Sequence, residues 1–206
     1  MKIICIGKNY ADHIAEMESK YDKVTSDPII FLKPDTALLK DNAPFYLPDF
    51  SQEVHHELEM TIKISREGKF IEETFAHKYY DEVGLGVDFT ARDLQAKLKQ
   101  NSHPWDLAKG FNGAAPVSHF LPKTNFSDLQ QLNFRLEVNE TVRQQGNTQL
   151  MIHKIDAIIA YVSRFFTLKK GDILFTGTPA GVAAVKAGDR LVAYLEEEKM
   201  LDFEVK

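Results

Sequence analysis

The sequence predicts a β-rich α+β fold, and three observations carry that prediction. Short apolar runs recur along the chain, several of them bounded by Gly, Pro or Asn, which is how strands rather than helices are punctuated. The stretch Val54 to Ile64 alternates with period two. One long stretch, Ile152 to Phe166, carries apolar residues at sustained helical spacing.

A chain of 206 residues suits one well-buried domain spanning residues 1–206. The net charge is −5 and the Lys and Arg residues are dispersed, so no electrostatic footprint for nucleic acid exists. Cys5 is the only cysteine, which excludes an intramolecular disulfide and a cysteine-based zinc site and fits a reducing compartment. Met1 to Gly7 lacks the apolar length of a signal peptide and the arginines of a transit peptide, and no segment reaches membrane-spanning length. These features predict a cytoplasmic protein with no membrane partner.

Lys2 to Ile6 reads as a buried strand ended by Gly7. In the short helix expected from Tyr10, His13 and Glu16 stand three apart, which brings them onto one face. A carboxylate beside an imidazole fixes its tautomer and raises its basicity, as a general base requires; many surface helices carry the same pair without chemistry. Glu18 to Asp27 is polar and poorly patterned, which predicts a mobile flap. Pro28 to Pro34 is an apolar strand bracketed by prolines, and Asp41 to Gln52 reads as a loop.

In Val54-His55-His56-Glu57-Leu58-Glu59-Met60-Thr61-Ile62-Lys63-Ile64, one face is apolar and the other carries Glu57 and Glu59 side by side. Two carboxylates about 7 Å apart along a strand can close on one hard divalent cation if a third oxygen ligand joins them; the same pattern also suits a solvated face. After Ile64, a turn at Arg66 to Lys69 predicts a hairpin with Phe70 and Ile71, then a short helix from Glu72 to Tyr80. Val83 to Phe89 is an apolar strand with Asp88 near its end. Thr90-Ala91-Arg92-Asp93 reads as a capping box opening a helix, which gathers Asp88, Arg92 and Gln95 at a helix N-terminus suited to an anion. Lys109, between an apolar pair and a glycine, is placed to aim an ammonium at a carboxylate, or to be a surface lysine. Phe134 to Val138 turns at Asn139-Glu140 into a hairpin. Asp172 to Phe175 is a strand delivering Thr176-Gly177-Thr178-Pro179-Ala180-Gly181-Val182, whose backbone N–H groups can hold an anion or simply form a turn. Arg190 to Leu195 and Leu201 to Val205 close the chain as a second hairpin.

Taken in order, Gly7 to His13, Pro28 to Pro34, His55 to Glu59, Asp88 to Asp93, Leu107 to Lys109 and Thr176 to Val182 resemble the fumarylacetoacetate hydrolase family, within its acylpyruvase and oxaloacetate decarboxylase branch. The resemblance implies a mixed β-sandwich roll with peripheral helices, usually a homodimer. It implies Glu57, Glu59 and Asp88 as ligands of Mg²⁺ or Mn²⁺, and Arg92, Gln95, Lys109 and Thr178 as contacts to a 2-oxoacid, with Lys109 also counted in the catalytic set. His13 and Glu16 match the water-activating dyad, carried on a lid over residues 12–27. The activity implied first is hydrolysis of a C–C bond in small acylpyruvates through an enolate. Oxaloacetate decarboxylation and 2-oxoacid hydration or enol–keto isomerisation are the alternatives on the same site, and a non-catalytic metal-binding protein is a further one. Lys8, where this branch often has arginine, exchanges a bidentate fork for a point charge and so bears on substrate preference.

Overall fold

The computed structural model of the chain describes residues 1–16 and 26–206. In chain order the elements are β1 (Ile3–Gly7), α1 (Ala11–Glu16), β2 (Ile29–Lys33), β3 (Leu38–Leu39), β4 (Val54–His56) and β5 (Leu58–Ile64). There follow α2 (Glu73–Ala76), β6 (Tyr80–Val87), β7 (Thr90–Ala91), α3 (Arg92–Gln100), α4 (Asp106–Lys109), β8 (Ala115–Pro116) and β9 (Leu121–Pro122). The remainder is β10 (Asn133–Val138), β11 (Thr141–Asn147), α5 (Ile155–Ser163), β12 (Ile173–Phe175), β13 (Ala183–Ala184), β14 (Arg190–Leu195) and β15 (Glu198–Glu204). This is the β-rich mixed architecture expected.

A six-stranded sheet runs β2-β1-β12-β5-β6-β9, with β1 and β12 parallel and every other neighbour antiparallel. A four-stranded antiparallel sheet, β11-β10-β14-β15, packs over β5 and β6. Between them lies a contiguous apolar core that includes Ile4, Met60, Leu85, Phe134, Leu174 and Phe203. The turn between β10 and β11 places both Asn139 and Glu140 at positive φ, the left-handed pair that lets a tight hairpin follow the strand twist.

The expected central strand is two strands that change partner. β4 pairs with β7, β5 pairs with β6, and the break between them falls on Glu57. The opposing chain breaks in the same place, between Val87 at the end of β6 and Thr90 at the start of β7, and Asp88 sits in that gap. Both acids therefore leave the ladder at matched interruptions, joined by the Asp88 N–H donating to Glu57 O at 2.8 Å. The charged face of β5 is also buried at Glu59 and Thr61, in a strand that lies inside its sheet rather than at an edge.

Three local expectations are corrected. Phe70 and Ile71 form no hairpin with β5; Gly68 bridges Leu168 instead, and β6 takes the place beside β5. The helix expected from Glu72 to Tyr80 is confined to Glu73–Ala76, since Tyr80 already belongs to β6. The helix expected from Ile152 to Phe166 runs only from Ile155 to Ser163; before it, Asn9 takes the N–H groups of Ile152 and His153, and Ile152 and Phe165 are exposed.

Candidate metal centre and active site

Glu57, Glu59 and Asp88 converge at the broken edge of β5 and β6. Their carboxylate oxygens lie within 4.8 Å of one another, and all three residues are buried. Burying like charges together is costly unless cations compensate, and the chain supplies three. Lys109 Nζ donates to Glu57 Oε2 at 2.9 Å, to Asp88 Oδ2 at 2.6 Å and to Thr90 Oγ1 at 2.6 Å. Arg92 donates to Glu57 Oε1 at 2.5 Å and to Gln95 Oε1 at 2.8 Å. Lys33 Nζ stands 2.7 Å from Asp88 Oδ1 while its N–H groups are directed at the carbonyls of Phe89, Lys109 and Ala114, so the contact with Asp88 is charge against charge rather than a hydrogen bond.

The compensation is uneven. Burial would raise the Glu57 pKa, yet the charges of Lys109 and Arg92 override it and hold the carboxyl well below its ordinary range. Burial pushes Glu59 well up, and the negative charges of Asp88 and Glu57 push it further. Among the described residues the Gly177 N–H at 2.6 Å is its one hydrogen-bond donor, and Glu59 makes no ion pair. Burial lowers Lys109, but Asp88 and Glu57 outweigh it and the ammonium is held charged. A centre of three hard carboxylate oxygens within reach of one point, one of them lacking a cation, is the donor set of a Mg²⁺- or Mn²⁺-type ion, whose ligand bonds run about 2.0–2.6 Å in oxygen sites. The residues present fit such an ion.

The triad forms the floor of a cleft of about 560 Å³, part of it open to solvent, lined also by Lys8, His13, Phe31, Arg92, Gln95, Trp105, Lys109 and Thr178. Every residue expected at the site thus lines the cleft except Glu16, which stands behind His13. Helix α1 puts His13 Nδ1 3.5 Å from Glu16 Oε2. Burial lowers the His13 pKa, and Glu57 and Glu16 pull it back only in part, so the ring is a neutral base at neutral pH. Glu16 in turn accepts from the Gly181 N–H at 3.1 Å through both oxygens. Gly181 has φ +98°, and a Cβ there would lie 2.2 Å from Arg143 O, so only glycine brings this N–H to Glu16.

Thr90 does not cap α3 as expected; its hydroxyl donates to Glu57 Oε1 and accepts from Lys109, and Asp93 binds the Leu94 N–H instead. Thr178 meets the cleft with its hydroxyl engaged, donating to Leu58 O at 2.8 Å. Of the expected lid, residues 17–25 lie outside the described residues. Sequence reasoning passed over Lys33 and Gln144. A lysine on the Ile29-Phe31-Lys33 face of an apolar strand, against a proline, was the available sign of the first; nothing local marks the second.

Fold and site together define a protein of the fumarylacetoacetate hydrolase family, and the chain belongs to it: the family model described as fumarylacetoacetate (FAA) hydrolase C-terminal matches residues 2–205. Rat mitochondrial oxaloacetate tautomerase FAHD1 is 42% identical over 203 residues, covering 98% of this chain and 90% of that protein. Oxaloacetate tautomerase YcgM of Escherichia coli K12 is 43% identical over 191 residues, covering 92% and 86%. The crystal structure of fumarylpyruvate hydrolase from Pseudomonas aeruginosa, in complex with Mn²⁺ and pyruvate, superposes with a TM-score of 0.93 at 30% identity, covering 100% of this chain and 89% of that one. No helix among the described residues is long and apolar enough to cross a membrane. Relatives named as mitochondrial mean that the family is not confined to the cytoplasm expected here.

Proposed function

We propose that this chain moves a proton at the carbon beside the keto group of a small 2-oxoacid, interconverting the keto and enol forms of oxaloacetate. The observation that carries the reading is a buried carboxylate triad facing a neutral histidine across one cleft. A divalent ion held by Glu57, Glu59 and Asp88 supplies, when bound, Lewis-acid polarisation of the substrate's 2-oxo and carboxylate oxygens. His13 takes the proton from C3, leaving that electron pair to form the C2–C3 double bond, and gives a proton to the 2-oxygen; the reverse sequence restores the ketone. Glu16 holds the Nδ1–H, so Nε2 is the working nitrogen. Lys109, with all its donors committed to Glu57, Asp88 and Thr90, ties the two carboxylates together and keeps Glu57 ionised. Gln95, whose carbonyl accepts from Arg92, turns its NH₂ group to the substrate carboxylate.

The names of relatives more than 40% identical over nearly the whole chain support this reading. Acylpyruvate hydrolysis, which the resemblance put first, is the second reading, favoured by the P. aeruginosa neighbour; there His13 takes its proton from water that attacks the distal carbonyl. The test is the decay of enol-oxaloacetate absorbance with Mg²⁺ or Mn²⁺, run beside acetylpyruvate cleavage. Acceleration of enol decay that chelation abolishes is expected. Decay no faster than buffer, with acetylpyruvate cleaved, would put the hydrolase in first place.

A further inference from the structure

Gln144 lies on β11 with 1% of its surface exposed, far in sequence from every residue of the cleft. β11 carries a bulge there: Leu136 pairs with Gln144 and Glu137 with Val142, so Arg143 is the extra residue. The Gln144 amide is fully used. Its Oε1 accepts from the Leu58 N–H at 2.9 Å and from His56 Nδ1 at 2.9 Å. Its Nε2 donates to Thr178 Oγ1 at 2.8 Å and to Pro179 O at 3.0 Å. A backbone donor at one end and a backbone acceptor at the other fix which way the amide faces.

The Thr178 hydroxyl donates to Leu58 O at 2.8 Å. A closed ring results: Leu58 N–H to Gln144, Gln144 to Thr178, Thr178 back to Leu58 C=O. Leu58 is the residue between the acids Glu57 and Glu59, at the point where β4 gives way to β5 and the backbone changes partner. The loop from Thr176 to Gly181, gripped at Thr178 and Pro179, carries the N–H groups that hold Glu59 and Glu16.

We infer that Gln144 is the positioning residue of the centre, setting the separation of the Glu57 and Glu59 carboxylates by clamping the peptide between them to the Thr176–Gly181 loop. It touches neither substrate nor cation and acts through Leu58 and Thr178. The inference rests on the metal reading above, and it makes ion affinity depend on a residue outside the cleft.

The test is Mn²⁺ titration of the full chain, with free aqueous Mn²⁺ counted by its paramagnetic resonance, at a temperature where circular dichroism shows each variant folded. Gln144→Met keeps length and removes all four hydrogen bonds. Its dissociation constant is expected to rise about 10–100-fold, the usual effect of losing a partner that orients metal ligands. Ile158→Ala, a cavity in α5 away from the cleft, supplies a variant with comparable loss of melting temperature and is expected to bind Mn²⁺ within about twofold of the parent. If Gln144→Met does not fold, Gln144→Glu decides, at pH 8. Its added negative charge alone would tighten cation binding, whereas loss of the donor to Pro179 O and Thr178 Oγ1 weakens it. Weaker binding supports the inference. Parent-like or tighter binding, or equal weakening in Ile158→Ala, overturns it. A parent chain that binds no Mn²⁺ removes the metal reading and this inference with it.

Discussion

Glu57, Glu59 and Asp88 are buried and tied down on all sides, Glu57 by two cations and a threonine, Glu59 by a backbone N–H, Asp88 by two lysines. His13 faces them from a six-residue helix, with one contact of 3.5 Å to Glu16, whose side chain is 34% exposed. The floor of the cleft is therefore preorganised by the sheets, while its opposite wall is linked through the Glu16 carboxylate to the Gly181 N–H. On the proposed reading, the difference assigns ion binding and proton transfer to separate parts, each removable without the other.

The largest effect should come from the floor. Glu59→Gln keeps the oxygen that accepts from Gly177 but removes a charge with no ion pair among the described residues. Lewis-acid assistance of several kcal/mol is then lost, and metal-dependent turnover should fall by roughly 10⁴-fold, to background. Burial and the charges of Asp88 and Glu57 push the Glu59 pKa up, so without an ion its ionised form is disfavoured there, and an isosteric amide costs little. The metal-free melting temperature should therefore hold or rise, while its increase on adding Mn²⁺ disappears. Retained stabilisation by Mn²⁺ would take Glu59 out of the ligand set.

His13→Ala should break the comparison from the other side. Loss of a general base costs about 10²–10⁴-fold in kcat/KM. Because no floor residue hydrogen-bonds to His13, Mn²⁺ affinity by the same titration should be unchanged. Affinity falling in step with rate would mean that floor and wall are one unit.

The two parts also differed in how far the sequence revealed them. Glu57 and Glu59 stand out because period-two alternation is local, and the fold class followed from the same strand spacing. That Glu57 falls at a break was invisible, since the break exists only because β4 and β5 pair with different strands. Lys33 and Gln144 reach the centre from β2 and β11, and a lysine or glutamine in a strand carries no mark of what lies across the core. The hairpin expected after Ile64 failed for a similar reason: Gly68 found its partner in Leu168, a pairing no local turn signal records. For His13 and Glu16, helical spacing showed only that they share a face; their pairing as a dyad was implied by the family resemblance.

The smallest effect tests the link that holds the wall. In Glu16→Gln the amide oxygen can still accept from the Gly181 N–H and from His13 Nδ1–H, so the geometry survives and only the charge goes. Burial already lowers the His13 pKa, and the Glu16 charge beside the ring partly raises it again, so removing that charge lowers it further. A base must be neutral to work, which makes kcat/KM rise with pH through this pKa; the acid limb should therefore move to lower pH. A partly exposed pair is worth about 0.2–1 kcal/mol, so the shift should be no more than about 0.7 pH unit. The plateau should drop less than about tenfold, since a weaker base takes the proton less readily. An acid limb that stays put would leave Glu16 as a spacer for the His13 ring, and a limb that moves up would assign the titration to a group other than His13.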